Sequence, residues 1–167
     1  MTFSVKPDEE KLTAAEIANA WDEENIATII ESYGEEKFAR RIARAIVASR
    51  AEKKIQTARE LADIVESAVP VWYKKGKTHP ATKTFQALRM AVNDEVGALT
   101  EGLQKAWNAL ALGGRIAVIS FHSREDRIVK NFFKNKKISG KGGILTKKPI
   151  TPTLAERKIN PRSRSAK

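Results

Sequence analysis

A single strand-like segment constrains the fold of this 167-residue chain more than any other feature. Residues 116–121 read Ile-Ala-Val-Ile-Ser-Phe, and such a near-continuous apolar run is typical of a parallel β-strand covered on both faces. One further, weak candidate for an edge strand lies near residues 143–146. Because a strand without neighbours exposes its backbone donors and acceptors, the sequence predicts a sheet whose other strands are missing.

Residues 13–70 carry the signals of a compact helical unit. Two threonines are each followed three residues later by a glutamate, which is the spacing of a capping box at a helix start. Gly34 is expected to end the second helix of this unit by adopting the left-handed conformation. Phe38, Ile42 and Ile46 fall on one face of the third helix, predicted at residues 35–49. The two capping boxes join Thr13 with Glu16 and Thr57 with Glu60.

The longest periodic pattern runs from Pro80 to Leu110. Its apolar residues are separated by gaps of three and four and therefore share one side of a helix: Phe85, Leu88, Val92, Val96, Leu99, Leu103, Trp107 and Leu110. We predict one continuous helix of about seven turns here, ended by the double glycine at 113–114. Ser123 is then expected to cap a further helix.

The order of these elements predicts the fold class. A long helix, a double glycine, a buried strand, a short turn and another helix make half of a doubly wound α/β unit. After Lys134 the chain is rich in Lys, Gly, Pro and Ser and loses its hydrophobic periodicity, so irregular structure is expected there. The prediction is an α/β fold that is mostly helical and whose sheet is incomplete.

Positive charge is concentrated towards the carboxyl terminus. Residues 124–167 contain 14 Lys and Arg against 3 Asp and Glu, whereas residues 1–123 contain 17 of each, so the net charge of +11 arises in the tail. A localised cationic surplus attracts phosphate backbones, which favours a polyanion such as RNA as the partner. A solvated, partly disordered tail would explain the same composition, and charge alone does not separate the two.

Several classes of protein are disfavoured by composition. Cysteine is absent, which excludes a disulfide framework and a thiolate zinc site and favours a reducing compartment, with the cytoplasm as the expected location. The two histidines lie 43 residues apart and no carboxylates show ligand spacing, so no metal site is predicted. No stretch approaches about eighteen uninterrupted apolar residues, and membrane spanning is not expected.

Four blocks of sequence resemble one family of proteins. They read YGEEKFARRIARAI at residues 33–46, HPATKTFQALR at 79–89 continuing to VNDE at 92–95, GGRIAVISFHSREDRIVK at 113–130, and NPRSRSAK at 160–167. The blocks occur in family order and cover nearly the whole chain. On these residues the chain resembles the RsmH (MraW) family of bacterial ribosomal RNA methyltransferases.

The resemblance implies an S-adenosylmethionine-dependent enzyme that methylates N4 of a cytosine in 16S ribosomal RNA, with the small ribosomal subunit as its partner. It also implies a Rossmann-like methyltransferase domain interrupted by a helical insert that helps to recognise the substrate. Residues 1–78 would form the insert, 79–135 the carboxy-terminal half of the Rossmann-like fold, and 136–167 a basic, partly irregular tail. The oligomeric state is left open, a homodimer included.

The cofactor-binding elements of the family have no counterpart in this sequence. They are a Gly-Gly-His-Ser loop, an acidic residue after the second strand and an Asp-Leu-Gly-Val-Ser-Ser segment, and in the family all three precede the insert. We therefore assign no cofactor-binding residue here, expect the isolated chain to be inactive, and expect Met1 to lie within a longer gene. The alternative is a non-catalytic, basic RNA-binding module or one subunit of a split enzyme.

The turn at residues 120–123 is the candidate catalytic element. It follows the predicted strand, and open α/β sheets place ligands at the carboxyl ends of their strands. Ser120, His122 and Ser123 are the candidates to hold the amine that is methylated and to give its proton a route. The competing interpretation is structural, with Ser123 capping a helix and Phe121 in the core.

Candidate RNA-binding residues lie along the first part of the long helix, in and just after the 120–123 turn, and in the basic tail. Helix-start amides and arginine can hold phosphate, and asparagine can read a base edge. Capping and a solvated polar face would explain roughly half of these positions. Trp72 and Tyr73 could stack on an unpaired base or simply cover the helical unit. The candidates are His79, Thr82, Arg89, Asn93, Phe121, Arg127, Arg162 and Arg164.

Overall fold

The structure, a computed structural model, describes residues 12–167, and this part of the chain is mostly helical. Residues 1–11, at the start of the predicted insert, lie outside the described residues. The helices are α1 (Ala14–Ala20), α2 (Glu23–Gly34), α3 (Ala39–Glu52), α4 (Ala58–Ala68), α5 (Val71–Lys74), α6 (Thr82–Val92), α7 (Glu95–Ala109), α8 (Ser123–Ile138) and α9 (Leu154–Ile159), followed by a 3-10 helix (Pro161–Ser165). They form two compact units, the first ending at Asp94 and the second beginning at Glu95.

The first unit is a helical bundle with its own apolar core. Helix α2 packs against α3 and α6, and α3 packs against α4. Both predicted capping boxes are confirmed, at the starts of α1 and α4. The predicted apolar face of α3 is confirmed as well, since Ile42 and Ile46 are buried and Phe38 packs against the core. The largest fully buried apolar side chains of this unit are Ile17, Ile26, Ile30, Ile42, Ile46, Val65, Leu88 and Met90.

Gly34 has a role other than the predicted one. It is the last residue of α2, and the left-handed residue that follows the helix is Glu35, with φ of 50°. A Cβ atom at Gly34 would lie 2.6 Å from the carbonyl oxygen of Lys83 in α6. The side chain of Lys83 in turn donates a hydrogen bond to the Glu35 carbonyl oxygen at 2.9 Å. Glycine at position 34 therefore permits the close approach of α2 and α6.

The predicted continuous helix from Pro80 to Leu110 is wrong. The chain forms α6 and α7 instead, with Asn93 capping α6 and Asp94 in the left-handed region at φ of 44°. Asn and Asp tolerate this conformation because their short polar side chains can hydrogen-bond locally. The break also separates the two compact units, so the first unit extends beyond residue 78. The predicted domain limits at 78 and 135 remain predictions.

The second unit is built on α7 and α8, which pack against each other. Trp107 of α7 meets Phe132 of α8 edge to face, with ring centroids 6.1 Å apart. The segment after α8 returns to this contact, because a Cβ atom on Gly142 would lie 2.5 Å from the Trp107 ring. Helix α9 and the 3-10 helix pack together and give order to part of the tail that was expected to be partly irregular.

The strands predicted at residues 116–121 and near 143–146 are not formed within the described chain. Exposure alternates along the first segment, with Ile116 and Val118 half-buried and Ile119 72% exposed. Ser120 exchanges backbone hydrogen bonds with Lys167 in both directions, at 3.0 and 2.9 Å. A strand requires a partner along its length, and here a single residue pair is made. Across residues 12–167, no helix has both the length and the apolar character that crossing a membrane requires.

Candidate functional site

His122, rather than the predicted Ser123, caps helix α8. Its Nδ1 accepts a hydrogen bond from the Glu125 amide at 3.3 Å, and the Glu125 carboxylate accepts from the His122 amide at 3.4 Å. The same carboxylate oxygen accepts from the Phe121 amide at 2.8 Å. Ser123 is the first helical residue and is exposed. The capping residue was misplaced by one position because histidine is not among the usual N-cap residues.

The cap fixes the protonation pattern of the His122 ring. Because Nδ1 accepts a hydrogen bond, the neutral ring carries its proton on Nε2. The Nε2 atom is buried, lies 3.4 Å from a Glu125 carboxylate oxygen and makes no hydrogen bond within the described residues. Acidic or ring atoms of Glu95, His122 and Glu125 all lie within 4.8 Å of one another. These three residue types could supply metal ligands, and the prediction of no metal site stays a prediction.

Ser120 and Asp126 anchor the turn to the last residue described. Ser120 is buried, and its amide and carbonyl are both used by Lys167. Asp126 accepts hydrogen bonds from Lys130 at 2.8 Å and Lys167 at 3.3 Å. Burial alone would raise the pKa of Asp126, but these two ammonium groups outweigh it and hold the pKa below its ordinary value. Asp126 was not among the predicted site residues, although its i, i+4 spacing to Lys130 is a signal that the sequence contains.

The three candidate catalytic residues therefore differ in what they offer. The backbone of Ser120 and Nδ1 of His122 are engaged within the second unit, whereas Ser123 and Phe121 are exposed at the surface. Phe121, expected in the core by the competing interpretation, is 54% exposed. With Nδ1 engaged as an acceptor, His122 is not set up as a general base, because its other ring nitrogen carries the proton. Groups that orient a ligand fit this turn better than groups that ionise.

The 120–123 turn does not by itself fit S-adenosylmethionine. Grooves of a size for small molecules lie in the first unit, along Thr13, Glu16, Asn19 and Arg50 and beside Trp21. At the 120–123 turn the buried polar groups of Ser120 and His122 are largely turned to other parts of the second unit. An adenosine would need hydrogen-bonding partners and apolar cover that the turn does not supply.

Four of the candidate RNA-binding residues lie together on the first unit. Thr82, Arg89 and Asn93 are spaced by seven and four residues, which puts them on one face of α6, and all three are exposed. His79 precedes this face; its Nδ1 accepts the Ala81 amide at 3.2 Å, and its Nε2 lies 4.0 Å from Glu66. The structure thus assembles a polar surface at the start and along the exposed side of α6.

The other four candidates lie on the second unit. Arg162 and Arg164 are exposed on the 3-10 helix, while Ser163 between them is buried and donates to the Asn160 carbonyl at 2.8 Å. Arg127 is exposed on α8. On the 3-10 helix Ser163 therefore faces inward, while both arginines face solvent, as phosphate contact requires.

An aromatic cluster on the first unit was only partly anticipated. Trp72 lies edge to face with Phe38 and Tyr73, with ring centroids 5.9 Å from each. The Lys37 ammonium lies 4.3 Å from the Trp72 ring centroid. Burial and the neighbouring carboxylate of Glu36 raise the pKa of Tyr73, so its hydroxyl stays protonated and donates to Glu36 at 2.5 Å. Sequence reasoning named the two adjacent aromatics but missed Lys37, which is distant in sequence.

Comparison with known proteins identifies the family. A model described as the MraW methylase family matches residues 5–167. The chain is 56% identical over 158 residues to ribosomal RNA small subunit methyltransferase H of Sulfurihydrogenibium sp., covering 95% of this chain. Proteins of the same name are 52% identical over 158 residues in Persephonella marina, covering 95% of this chain, and 50% identical over 167 residues in Coprothermobacter proteolyticus, covering all of it. The chain belongs to the MraW methylase family.

The match covers only part of each relative. In all three comparisons the aligned region is 54% of the relative's length. The chain thus spans about half the length of the curated relatives it matches. The resemblance inferred from the four sequence blocks is confirmed.

Proposed function

We propose that this chain supplies the carboxy-terminal half of an S-adenosylmethionine-dependent methyltransferase that acts on small-subunit ribosomal RNA, at N4 of a cytosine. Family membership carries the proposal, since relatives named for methylation of the small ribosomal subunit RNA are 50–56% identical over nearly the whole chain. The cofactor would be bound by the other half of such an enzyme. S-adenosylmethionine supplies the methyl group when it is bound.

The extended segment before α8 supports the need for another half. Residues 116–119 are neither helix nor strand, and Ile119 and Phe121 are largely exposed. Such a segment buries its apolar side chains and satisfies its backbone when strands pair on either side. We propose that strands of the missing half do so, completing a Rossmann-like sheet with the 120–123 turn at its edge.

This chain would contribute binding and orientation to the reaction. In the proposal, the turn of Ser120, His122 and Ser123 orients the cytosine amine, with Ser123 the residue most exposed to it. The α6 surface of His79, Thr82, Arg89 and Asn93 and the tail arginines hold the RNA backbone by charge and hydrogen bonding. A transferred methyl group requires accurate orientation of the amine more than a strong base.

The proposal is tested by restoring the missing half. The chain is joined to the preceding half of the Sulfurihydrogenibium relative, and incorporation of labelled methyl groups into small ribosomal subunits is measured, with the intact relative assayed in parallel. We expect methylation of a cytosine at N4 by the joined protein and none by the isolated chain. No methylation by the joined protein, when the relative is active, would overturn the proposal.

The second candidate is a basic RNA-binding module without catalysis, or a subunit of a split enzyme. The charge distribution supports this second candidate, because residues 124–167 carry the whole net surplus of positive charge. Titration of the isolated chain with labelled S-adenosylmethionine tests what both candidates assume, namely that this chain does not itself hold the cofactor. Binding at micromolar concentration would contradict the assignment of the cofactor site to another half.

A further inference from the structure

We propose that Trp72 is a stacking platform for an unpaired base of the RNA substrate, with Lys37 and the neighbouring lysines holding the adjoining phosphates. This inference rests on the proposed function for its substrate class, but not on catalysis. The sequence left open whether Trp72 covers the helical unit or binds a base. In the structure Trp72 is 61% exposed and Tyr73 is partly buried against the core, so the two aromatics have different roles.

Two neighbouring aromatic rings, of Phe38 and Tyr73, hold the Trp72 indole in place. Phe38 packs against the core and meets both Trp72 and Tyr73 edge to face, with the Phe38 and Tyr73 centroids 5.1 Å apart. Tyr73 is tied to Glu36, which is almost completely buried and also accepts the Phe38 amide at 3.0 Å. A large aromatic ring fixed in this way loses little conformational entropy when a base stacks on it.

The surroundings of Trp72 select an anionic partner. Residues 67–93 contain five Lys and Arg and no Asp or Glu, a local surplus that is hidden by the balanced total of residues 1–123. Lys75 and Lys77 follow α5 in an exposed segment, and Lys37 is exposed beside the ring. Interfaces between proteins are depleted in lysine at their centres, whereas single-stranded nucleic acid is bound by aromatic rings set in a cationic groove.

The position of Lys37 adds a specific feature. Its ammonium lies 4.3 Å from the Trp72 centroid and 5.2 Å from the centroids of both Phe38 and Tyr73. A nucleotide that stacks on the indole would displace this flexible side chain from over the ring and bring its phosphate within reach of the ammonium. One site would then combine two contacts. Stacking of the base on Trp72 would not depend on charge, whereas the contact of the phosphate with Lys37 would.

The experiment separates these two contacts. Binding of the whole chain to a short, fluorescein-labelled oligocytidylate is measured by anisotropy and compared with an abasic oligonucleotide of equal length and charge. We expect Trp72→Leu, which keeps apolar volume against Phe38, to weaken binding of the oligocytidylate about tenfold and to leave the abasic probe unchanged. Val71→Ala is the matched control, because Val71 is 67% exposed in the same short helix and carries no ring.

A charge variant gives the complementary pattern. Lys75→Gln is expected to weaken binding of both probes equally and to reduce the salt dependence by about one counterion. Trp72→Phe, which keeps an aromatic face, should retain most of the affinity of the unmodified chain. Equal affinity of Trp72→Leu and the unmodified chain for oligocytidylate would overturn the proposal and leave a protein surface as the partner of Trp72. Because the assay measures no methylation, its result is independent of the test of catalysis.

Discussion

The first compact unit buries most of its large apolar side chains, whereas the second leaves many of its own exposed. Among the buried hydrophobic residues of the described chain, Leu103 is the one from the second unit, and the others all lie between Ile17 and Met90. The first unit exposes Val71 and Trp72. The large exposed hydrophobics of the second unit are Leu112, Ile119, Phe121, Ile138, Ile144, Leu145, Ile150, Leu154 and Ile159.

This difference shows which part of the chain is self-sufficient. Burying an aliphatic or aromatic side chain is worth about 1.5–3 kcal/mol, and the first unit gains this many times over. The second unit does not gain this stabilisation from the large apolar side chains that it leaves exposed. The proposal that another half of the enzyme covers this unit would account for these exposed apolar side chains.

Truncation of one isoleucine in each unit should give the largest contrast. We expect Ile42→Ala, at a fully buried position in α3, to lower the free energy of unfolding by about 2–5 kcal/mol. Ile119→Ala, at a position 72% exposed, should change it by less than about 0.5 kcal/mol. Urea unfolding followed by circular dichroism measures both. Equal losses would mean that the second unit buries Ile119 in solution.

Two glycine-to-alanine substitutions, one in each unit, test how closely the helices pack. Gly34→Ala should destabilise the first unit by about 1–3 kcal/mol, because the new methyl group meets the Lys83 carbonyl at 2.6 Å. Gly102→Ala in α7 should stabilise the chain by about 0.5–1 kcal/mol, since nothing lies within 4 Å and alanine favours helix. Thermal unfolding of the two variants gives the signs. A stabilising Gly34→Ala would contradict the close approach of α2 and α6.

The stabilising contacts of Asp126 with Lys130 and Lys167 at the start of α8 should depend on pH. The pKa of Asp126 is lowered in the folded chain, so its contribution to stability is present above the ordinary carboxyl pKa and is lost as the pH falls through the lowered value. At neutral pH Asp126→Asn should cost about 1 kcal/mol, because two ammonium groups lose their partner. Stability curves of variant and unmodified chain should converge in acid. A constant difference down to the lowest pH would exclude the charge as its cause.

A capping substitution in the first unit should have an effect similar in size to that of Asp126→Asn. Thr57→Ala removes the hydroxyl that accepts the Glu60 amide at 3.1 Å and should cost about 1 kcal/mol. Thr57→Ser keeps the acceptor and serves as the control. The hydrogen bonds from Lys53 and from the Gln56 and Thr57 amides lower the pKa of Glu60 to about 2, so its part in the box is lost only as the pH falls from about 4.5 towards that value. Thermal unfolding at neutral pH and in acid measures both effects.

Features that depend on residues close in sequence were predicted well, and features that depend on tertiary contacts were not. The capping boxes at Thr13 and Thr57 depend on neighbours three residues away, and the sequence contains them in full. The apolar pattern from Phe85 to Leu110 correctly placed α6 and α7 but not the break at Asp94, because periodicity reports which face is apolar and not whether the helix is continuous.

The candidate site was predicted as a set of residues but not as a geometry. The sequence located the 120–123 turn before a helix, yet the His122 cap and the Lys167 pairing depend on side-chain orientation and on a residue far along the chain. Ile116–Phe121 has strand composition, but composition cannot supply the partner that makes a strand. The charge surplus around Trp72 was present in the sequence and was obscured by counting over too long a segment.

Hydrogen exchange of the isolated chain tests the contrast between the units most directly. Amides of α2, α3 and α6 should be protected by their buried helical hydrogen bonds, whereas amides at residues 116–119 should exchange at rates close to those of an unfolded chain. Protection at 116–119 equal to that of α3 would mean that this segment is already paired within the chain, and would contradict the view that another half completes the fold.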